Sequence, residues 1–301
     1  MRLKIIVLLI VLLTISGCNS NKNNISEIKT LDKAPEGLVD INKEISKILK
    51  DNGNIERIGL DIEILDDGGE SDKGDQQEEG SQSEEAPAGS TEESSQGGGE
   101  NEAGGSKGAS HGSSSHGSED GSPEEKKQDM SEQIWSSMDK SLEELYYNLL
   151  SYENDAIKTG ASTERIVQLK DSINKLVKGV EERNVVHIYD HGSQSLLFLK
   201  PFYDLYKDDY RGEISDLKHS IYQYYLKAIS GNKEEAKNVL DGKDENINKI
   251  RLLIGEDDKK LKELDKISTS FDSIGISLDE NSKRVLILEK DTLIKNLESL
   301  E

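Results

Sequence analysis

The chain is poor in most of the residues that staple or decorate a fold. Among 301 residues there are one cysteine, four prolines, one tryptophan and three phenylalanines. With Cys18 alone the chain closes no internal disulfide, and every zinc, iron–sulfur or thiol-nucleophile site that draws on further cysteines is excluded. Positive charge is also short: 38 Lys and Arg stand against 60 Asp and Glu, a net charge of -22. A phosphate backbone selects a basic face, so nucleic acid is not an expected partner. The same balance disfavours lying flat on an anionic membrane. No Gly-x-Ser-x-Gly elbow, Walker loop or dinucleotide glycine fingerprint occurs, and Gly97-Gly98-Gly99 follows no strand and opens no helix. The reading is of a chain that is not an enzyme and uses no cofactor.

What is present is unevenly distributed. Asp66 to Glu125 carries 17 acids against Lys73 and Lys107, together with 14 Gly and 13 Ser, and not one Val, Ile, Leu, Met, Phe, Trp or Tyr. Nothing there can be buried to offset an ordering entropy of about 1–2 kcal/mol per residue, so the segment is expected to be a disordered tether extended by its own charge. Every aromatic residue lies between Trp135 and Phe271. That concentration places the folded domain at 129–301, long enough to bury a core without staples.

The start of the chain has a different character. Arg2-Leu3-Lys4 precedes an unbroken apolar run from Ile5 to Leu13, too short to span a bilayer, followed by Thr14-Ile15-Ser16-Gly17-Cys18. A basic start, a short greasy stretch and small residues make an export signal. Ile15-Ser16-Gly17-Cys18 also resembles the lipobox of bacterial lipoproteins, which implies cleavage before Cys18 and acylation of its thiol, palmitate included. The expected layout is a signal peptide at 1–17, a lipidated N-terminus at 18–65, an acidic tether at 66–128 and a bundle at 129–301. A coil of roughly 110 residues between Cys18 and Asp129 has an r.m.s. reach of about 60 Å. Within 18–65, Leu38, Ile41, Ile45 and Ile48/Leu49 recur at helical spacing, Asp51-Asn52-Gly53 reads as a stop, and Ile58 to Leu65 alternates as a short strand does. The sequence leaves open whether this piece docks or stays free.

Beyond the acidic segment the apolar period is close to 3.6. Ile134, Met138, Leu142, Leu145, Tyr146 and Leu149 define a helix over 131–156 with Ser131 as its cap. Further helices are expected after Ser162 or Thr163, after Asn184 up to a kink or end at Pro201, over 213–230, over 233–240, over 244–267 with Gly255 as a weak point, and over 278–300. The fold class is all-α, an antiparallel helical bundle of about five to seven helices.

Candidate sites are few. His187 and His191 are four apart, as a two-histidine metal site on a helix requires, but Ile188 stands where a metalloprotease places its glutamate. They read as surface histidines. His111 and His116, within the tether, read as an accident of composition, and the Asp/Gly run at 66–75 lacks EF-hand spacing; no metal site is assigned. Tyr203, Tyr206, Tyr210, Arg211, Tyr224 and Tyr225 crowd together, and tyrosine and arginine are favoured at interface centres. Any partner site is expected there, although most tyrosines of a bundle are half-buried with hydroxyls at the surface.

The lipobox, Cys18-Asn19-Ser20 and the Asn- and Lys-rich residues after it, the polar tether and a cysteine-free helical domain resemble the surface lipoproteins of Borrelia-type spirochaetes. The resemblance lies in layout; no motif within 129–301 fixes a subfamily or transfers a binding residue. It implies an outer-membrane protein held through N-terminal acyl chains and facing the host, with a complement, plasma or extracellular-matrix protein as ligand. The alternative is an envelope structural lipoprotein that binds a bacterial partner.

Overall fold

The computed structural model of the chain describes residues 33–62, 122–207, 209–275, 277–280 and 282–301. The expected signal peptide at 1–17, Cys18, the acidic segment up to residue 121, His111 and His116 lie outside the described residues. Helix α1 is Glu36–Gly59, α2 Pro123–Thr159, α3 Thr163–Glu181, α4 Val185–Tyr203, α5 Arg211–Ile229, α6 Lys233–Val239, α7 Lys243–Ile254, α8 Asp258–Ile274 and α9 Lys283–Glu298, with a 3₁₀ turn at Ser277–Asp279. No strand occurs among the described residues, and the chain is the all-α bundle its periodicity predicts. The described residues 33–62 and 127–301 belong to one unit, and 122–126, the start of α2, fall to a second.

Local chemistry explains most boundaries. α2 begins eight residues before the expected Ser131, because Ser122-Pro123-Glu124-Glu125 is a capping box. The Glu125 amide donates to Ser122 Oγ at 3.3 Å and the Ser122 amide donates to Glu125 Oε2 at 2.8 Å. Ser162, Asn184, Asp257 and Ser282 accept first-turn amides of α3, α4, α8 and α9. The helix read over 244–267 is two: Gly255 sits at φ +65°, a conformation glycine adopts without strain, and divides α7 from α8. Pro201 falls in the last turn of α4, which ends at Tyr203.

The largest departure concerns α1. Asp51-Asn52-Gly53 does not stop it, and the expected strand at its end is absent as far as Ile62: the helix continues to Gly59. Tertiary contacts override the local stop signal. The Asn52 side-chain amide donates to the Val185 carbonyl at 2.9 Å, and Gly53 faces the Tyr189 hydroxyl. Leu38, Ile41, Ile45, Ile48 and Leu49 are buried in the same core as α2 to α9. α1 lies against α4, and α4 and α5 pair at the centre with α3, α6, α7 and α9 around them. A Cβ on Gly192 of α4 would come within 2.7 Å of Leu49 Cδ2, so glycine is what permits this close approach.

α1 and α2 run antiparallel. Gly37 lies beside Tyr152 at one end, and an Asp61–Lys127 ion pair joins them at the other. A helical hairpin of this kind needs a connection of about 2–8 residues; here the acidic segment occupies the connection. It therefore does not stand between Cys18 and the bundle. Only residues 19–35 separate Cys18 from α1.

Candidate functional site

The residue types that usually make a site are mostly consumed by the core. Glu56, Arg57, Lys290 and Asp291 are all buried where α1 meets α9, beside Tyr189 of α4 and Tyr222 and Tyr225 of α5. The Tyr225 hydroxyl donates to Glu56 Oε1 at 2.6 Å, and the Tyr189 hydroxyl donates to Glu56 Oε2 at 3.2 Å. Arg57 Nε donates to Asp291 Oδ2 at 2.8 Å, and Lys290 Nζ donates to Tyr189 at 3.1 Å and to Asp291. Lys283 closes on Glu56 Oε1 at 2.8 Å from the surface. The Lys290 ammonium stands 4.8 Å from the Tyr189 ring, 5.3 Å from Tyr225 and 5.8 Å from Tyr222, a three-sided aromatic cage. Burial first, then the neighbouring carboxylates, pushes the Tyr189, Tyr222 and Tyr225 hydroxyls well above their ordinary value of 10.0, so all three remain protonated donors. Two carboxylates thus face two buried cations with their hydrogen bonds made. Lys290 is 1% exposed; a substrate does not reach it, and what the arrangement does is lock α1, α4, α5 and α9 together.

The tyrosine cluster is corrected by the same geometry. Tyr203, Tyr206, Tyr224 and Tyr225 are at or below 5% exposure and are core residues, not interface residues. Their rings fill the space between helices, and their bonded polar tips reach protein rather than solvent: Tyr203 donates to the Leu38 carbonyl at 3.4 Å, Tyr224 to the Ile274 carbonyl at 2.6 Å and Tyr225 to Glu56. Tyr210 and Arg211 are half-buried; the Tyr210 hydroxyl donates to the Leu300 carbonyl at 2.9 Å, and Arg211 pairs with Asp209 at 3.4 Å.

His187 and His191 do share one face of α4, with ring centres 6.0 Å apart. Glu182 lies 3.5 Å from His187 and Asp190 3.8 Å from His191. Among the described residues no group of three or more His, Cys, Asp and Glu is arranged to hold a metal ion. His219, on α5, is held below its ordinary 6.5 by burial, against the pull of Asp216. Between α8 and α9 a groove of about 210 Å³ is lined by Ser270, Ser273, Ile274, Val285, Leu288, Glu289, Thr292 and Leu293.

The exposed apolar surface lies elsewhere. Leu252 of α7 stands largely in water, but the more ordered patch is on α2. That helix buries Trp135, Met138, Leu142, Leu145, Leu149, Tyr152 and Ala156, a strict alternation of three and four. A second row with the same spacing runs along its outer side: Glu143, Tyr147, Leu150, Asn154 and Ile157. Tyr147 is 71% exposed, Leu150 56% and Ile157 50%. Val167 of α3, 58% exposed, extends the row sideways. Its place is fixed by Lys170–Glu153 at 2.8 Å and by the Tyr146 hydroxyl on Asn174, which lay that face of α3 against α2. This surface went unread in the sequence, although Tyr147 and Leu150 fall off the buried stripe on any helical projection of 131–156.

Comparison with known protein families, with curated proteins and with solved structures finds no match to this chain. No described helix is long and apolar enough to cross a membrane.

Proposed function

We propose that the chain is a lipid-anchored outer-surface protein whose helical bundle binds a host protein, a complement, plasma or matrix component, in adhesion or immune evasion. The observation that carries it is the union of Ile15-Ser16-Gly17-Cys18 with a bundle that buries its polar clusters and keeps apolar side chains in water, such as Val186 of α4 and Leu252 of α7. Apolar side chains ringed by polar ones on an otherwise well-packed bundle are the ordinary mark of a protein contact. Anchoring through acyl chains, at about 0.8 kcal/mol per buried CH₂, needs no help from a chain this acidic.

The anchor geometry differs from a long leash. Residues 19–35 span at most about 60 Å when fully extended, and the chain then enters α1 after Pro35 and leaves it at Gly59, about 36 Å further along the helix axis. The acidic segment belongs to the far end of α1 and adds nothing to the reach of the bundle. That short span favours the second reading, an envelope lipoprotein bound to a bacterial partner.

Three measurements test the proposal. Labelled palmitate is expected on the wild-type chain and not on Cys18→Ala. The chain without its signal and lipid, retaining α1, is expected to bind at least one protein of a serum and matrix panel. A folded chain silent across that panel, with protease failing to cut the acidic segment on intact cells, overturns the host reading in favour of the envelope one. Cleavage must be read on a denaturing gel, because a nick after Ile62 does not detach α1 from the core.

A further inference from the structure

We infer that the outer row of α2 is a self-association surface, on which a second copy of this chain lays the same row antiparallel. Lys140, Glu143, Tyr147, Leu150, Asn154 and Ile157 are spaced 3, 4, 3, 4 and 3. That is the repeat with which one helix packs knobs into the holes of another. It is also the repeat by which α2 packs its inner side on the bundle. The row extends over about 26 Å of helix, nearly five turns, and Val167 of α3 widens its C-terminal end.

The polar members of the row select the occupant. Neither Lys140 nor Glu143 has an ion-pair partner among the described residues. They stand one turn apart with opposite signs, so the row attracts neither a basic nor an acidic helix. Parallel pairing of two copies sets Glu143 against Glu143 and Lys140 against Lys140, and brings like charges together. Antiparallel pairing about the midpoint of Tyr147 and Leu150 does the opposite. Each Tyr147 then meets the other copy's Leu150, and each Lys140 lays its stem along Ile157. Each Glu143 carboxylate accepts from the Asn154 side-chain amide, so the one carboxylate of the row keeps a hydrogen-bond partner. One two-fold operation satisfies every position twice, as an isologous contact requires. The apolar part is short, which makes the contact a weak one. With the anchor of the proposed function, copies confined to one membrane surface meet more often than free chains do.

The test uses the full chain without its signal and carrying Cys18→Ser. Sedimentation equilibrium up to about 1 mM, a range that populates a contact as weak as this one, is expected to show a monomer–dimer equilibrium. Added salt is expected to shift it toward dimer, because it screens the repulsion between two acidic chains. Tyr147→Ser with Leu150→Ser is expected to weaken dimerisation by about tenfold or more. Register is read by cross-linking: a Glu143→Cys chain mixed with an Asn154→Cys chain is expected to form the mixed disulfide, and each chain alone far less. These positions are exposed, and circular dichroism checks that the variants keep their helices.

A chain monomeric throughout that range overturns the inference. So does a dimer indifferent to the Tyr147/Leu150 variant, or same-position disulfides in place of the mixed one. A host protein whose binding to the monomer is abolished by Tyr147→Ser with Leu150→Ser also overturns it, while leaving the proposed function standing. A silent host panel with dimerisation intact removes the proposed function and leaves the dimer.

Discussion

Helices α1 and α2 lie side by side and use their surfaces in opposite ways. α1 buries its polar residues: Asn42, Asn52, Asn54, Glu56 and Arg57 are nearly as inaccessible as its leucines and isoleucines. α2, much longer, leaves Tyr147, Leu150 and Ile157 in water. Polarity alone does not decide which face goes inside. A polar face is buried when other helices supply its partners, as Asp291, Tyr189 and Tyr225 do for Glu56 and Arg57. An apolar face stays outside when no element of the bundle is left to cover it. The first situation makes a keystone, the second a contact surface, and the two helices can be tested against each other on that basis.

The largest effect is expected from removing α1. A chain of 129–301 loses Leu38, Ile41, Ile45, Ile48 and Leu49 from the core, at about 1.5–3 kcal/mol for each fully buried side chain. That sum is of the order of the whole stability of a domain, about 5–15 kcal/mol. The 129–301 fragment is expected to melt without a cooperative transition and to bind a hydrophobic dye, whereas 33–301 melts sharply. A peptide of residues 33–62 added in trans is expected to restore the transition. A 129–301 fragment that melts as sharply as 33–301 ends the description of α1 as a keystone.

Next comes the lock itself. Asp291→Ala removes the acceptor shared by Arg57 and Lys290 and leaves both cations buried; breaking such a pair costs about 3–5 kcal/mol. Urea unfolding is the measurement. Lys290→Met combined with Asp291→Asn is expected to cost less than the sum of its single substitutions, because the two side chains share one network. Strict additivity in that cycle contradicts the network.

How far the sequence anticipated this follows from what each signal measures. The helices that start after Ser162 and Asn184 were legible because periodicity and capping are local, and both residues cap where they are expected to, whereas the one helix expected over 244–267 is divided at Gly255. The class was legible for the same reason. The end of α1 was not, because Asp51-Asn52-Gly53 signals a stop and only distant partners such as Val185 and Tyr189 turn it into helix. The start of α2 was legible in principle, in Ser122-Pro123-Glu124-Glu125, but that string sits in a tract whose composition reads as coil. The tyrosine cluster misled because composition reports an amphipathic residue without saying which way it points. His187 and His191 fall together as their spacing requires; spacing alone says nothing of a third ligand.

A smaller effect separates the helices by pH. Burial raises the Asp51 carboxyl of α1 above its ordinary 3.8, against the Ser137 hydroxyl and the Lys47 and Lys50 charges. The folded state therefore favours the protonated form. Its contribution is fully present below the unfolded value near 3.8 and is lost as pH rises through the higher folded value. Glu213 and Glu298 are shifted in the same direction by burial. Asp51→Asn is expected to raise the urea midpoint at a pH near 7 and to lose that advantage at a pH near 4, around the ordinary carboxylate value. An advantage that grows toward acid reverses the sign and refutes the assignment to burial.

The smallest effect is expected where the comparison is most pointed. If the outer row of α2 is unpartnered within the chain, then Tyr147→Ser and Leu150→Ser remove no packing from the folded monomer. Each should change its stability by no more than about 0.5 kcal/mol. The same substitution at Leu145 or Leu149, one stripe away and buried, is expected to cost about 2–5 kcal/mol through lost burial and the cavity left behind. Paired thermal melts of the four variants measure both, in solutions dilute enough that self-association adds nothing to the monomer's stability. The contrast depends on direction alone, since all four residues stand close together on one helix. A large loss at Tyr147 or Leu150 means that part of this chain already covers the row; it then belongs to the core, and a second copy has nowhere to lie.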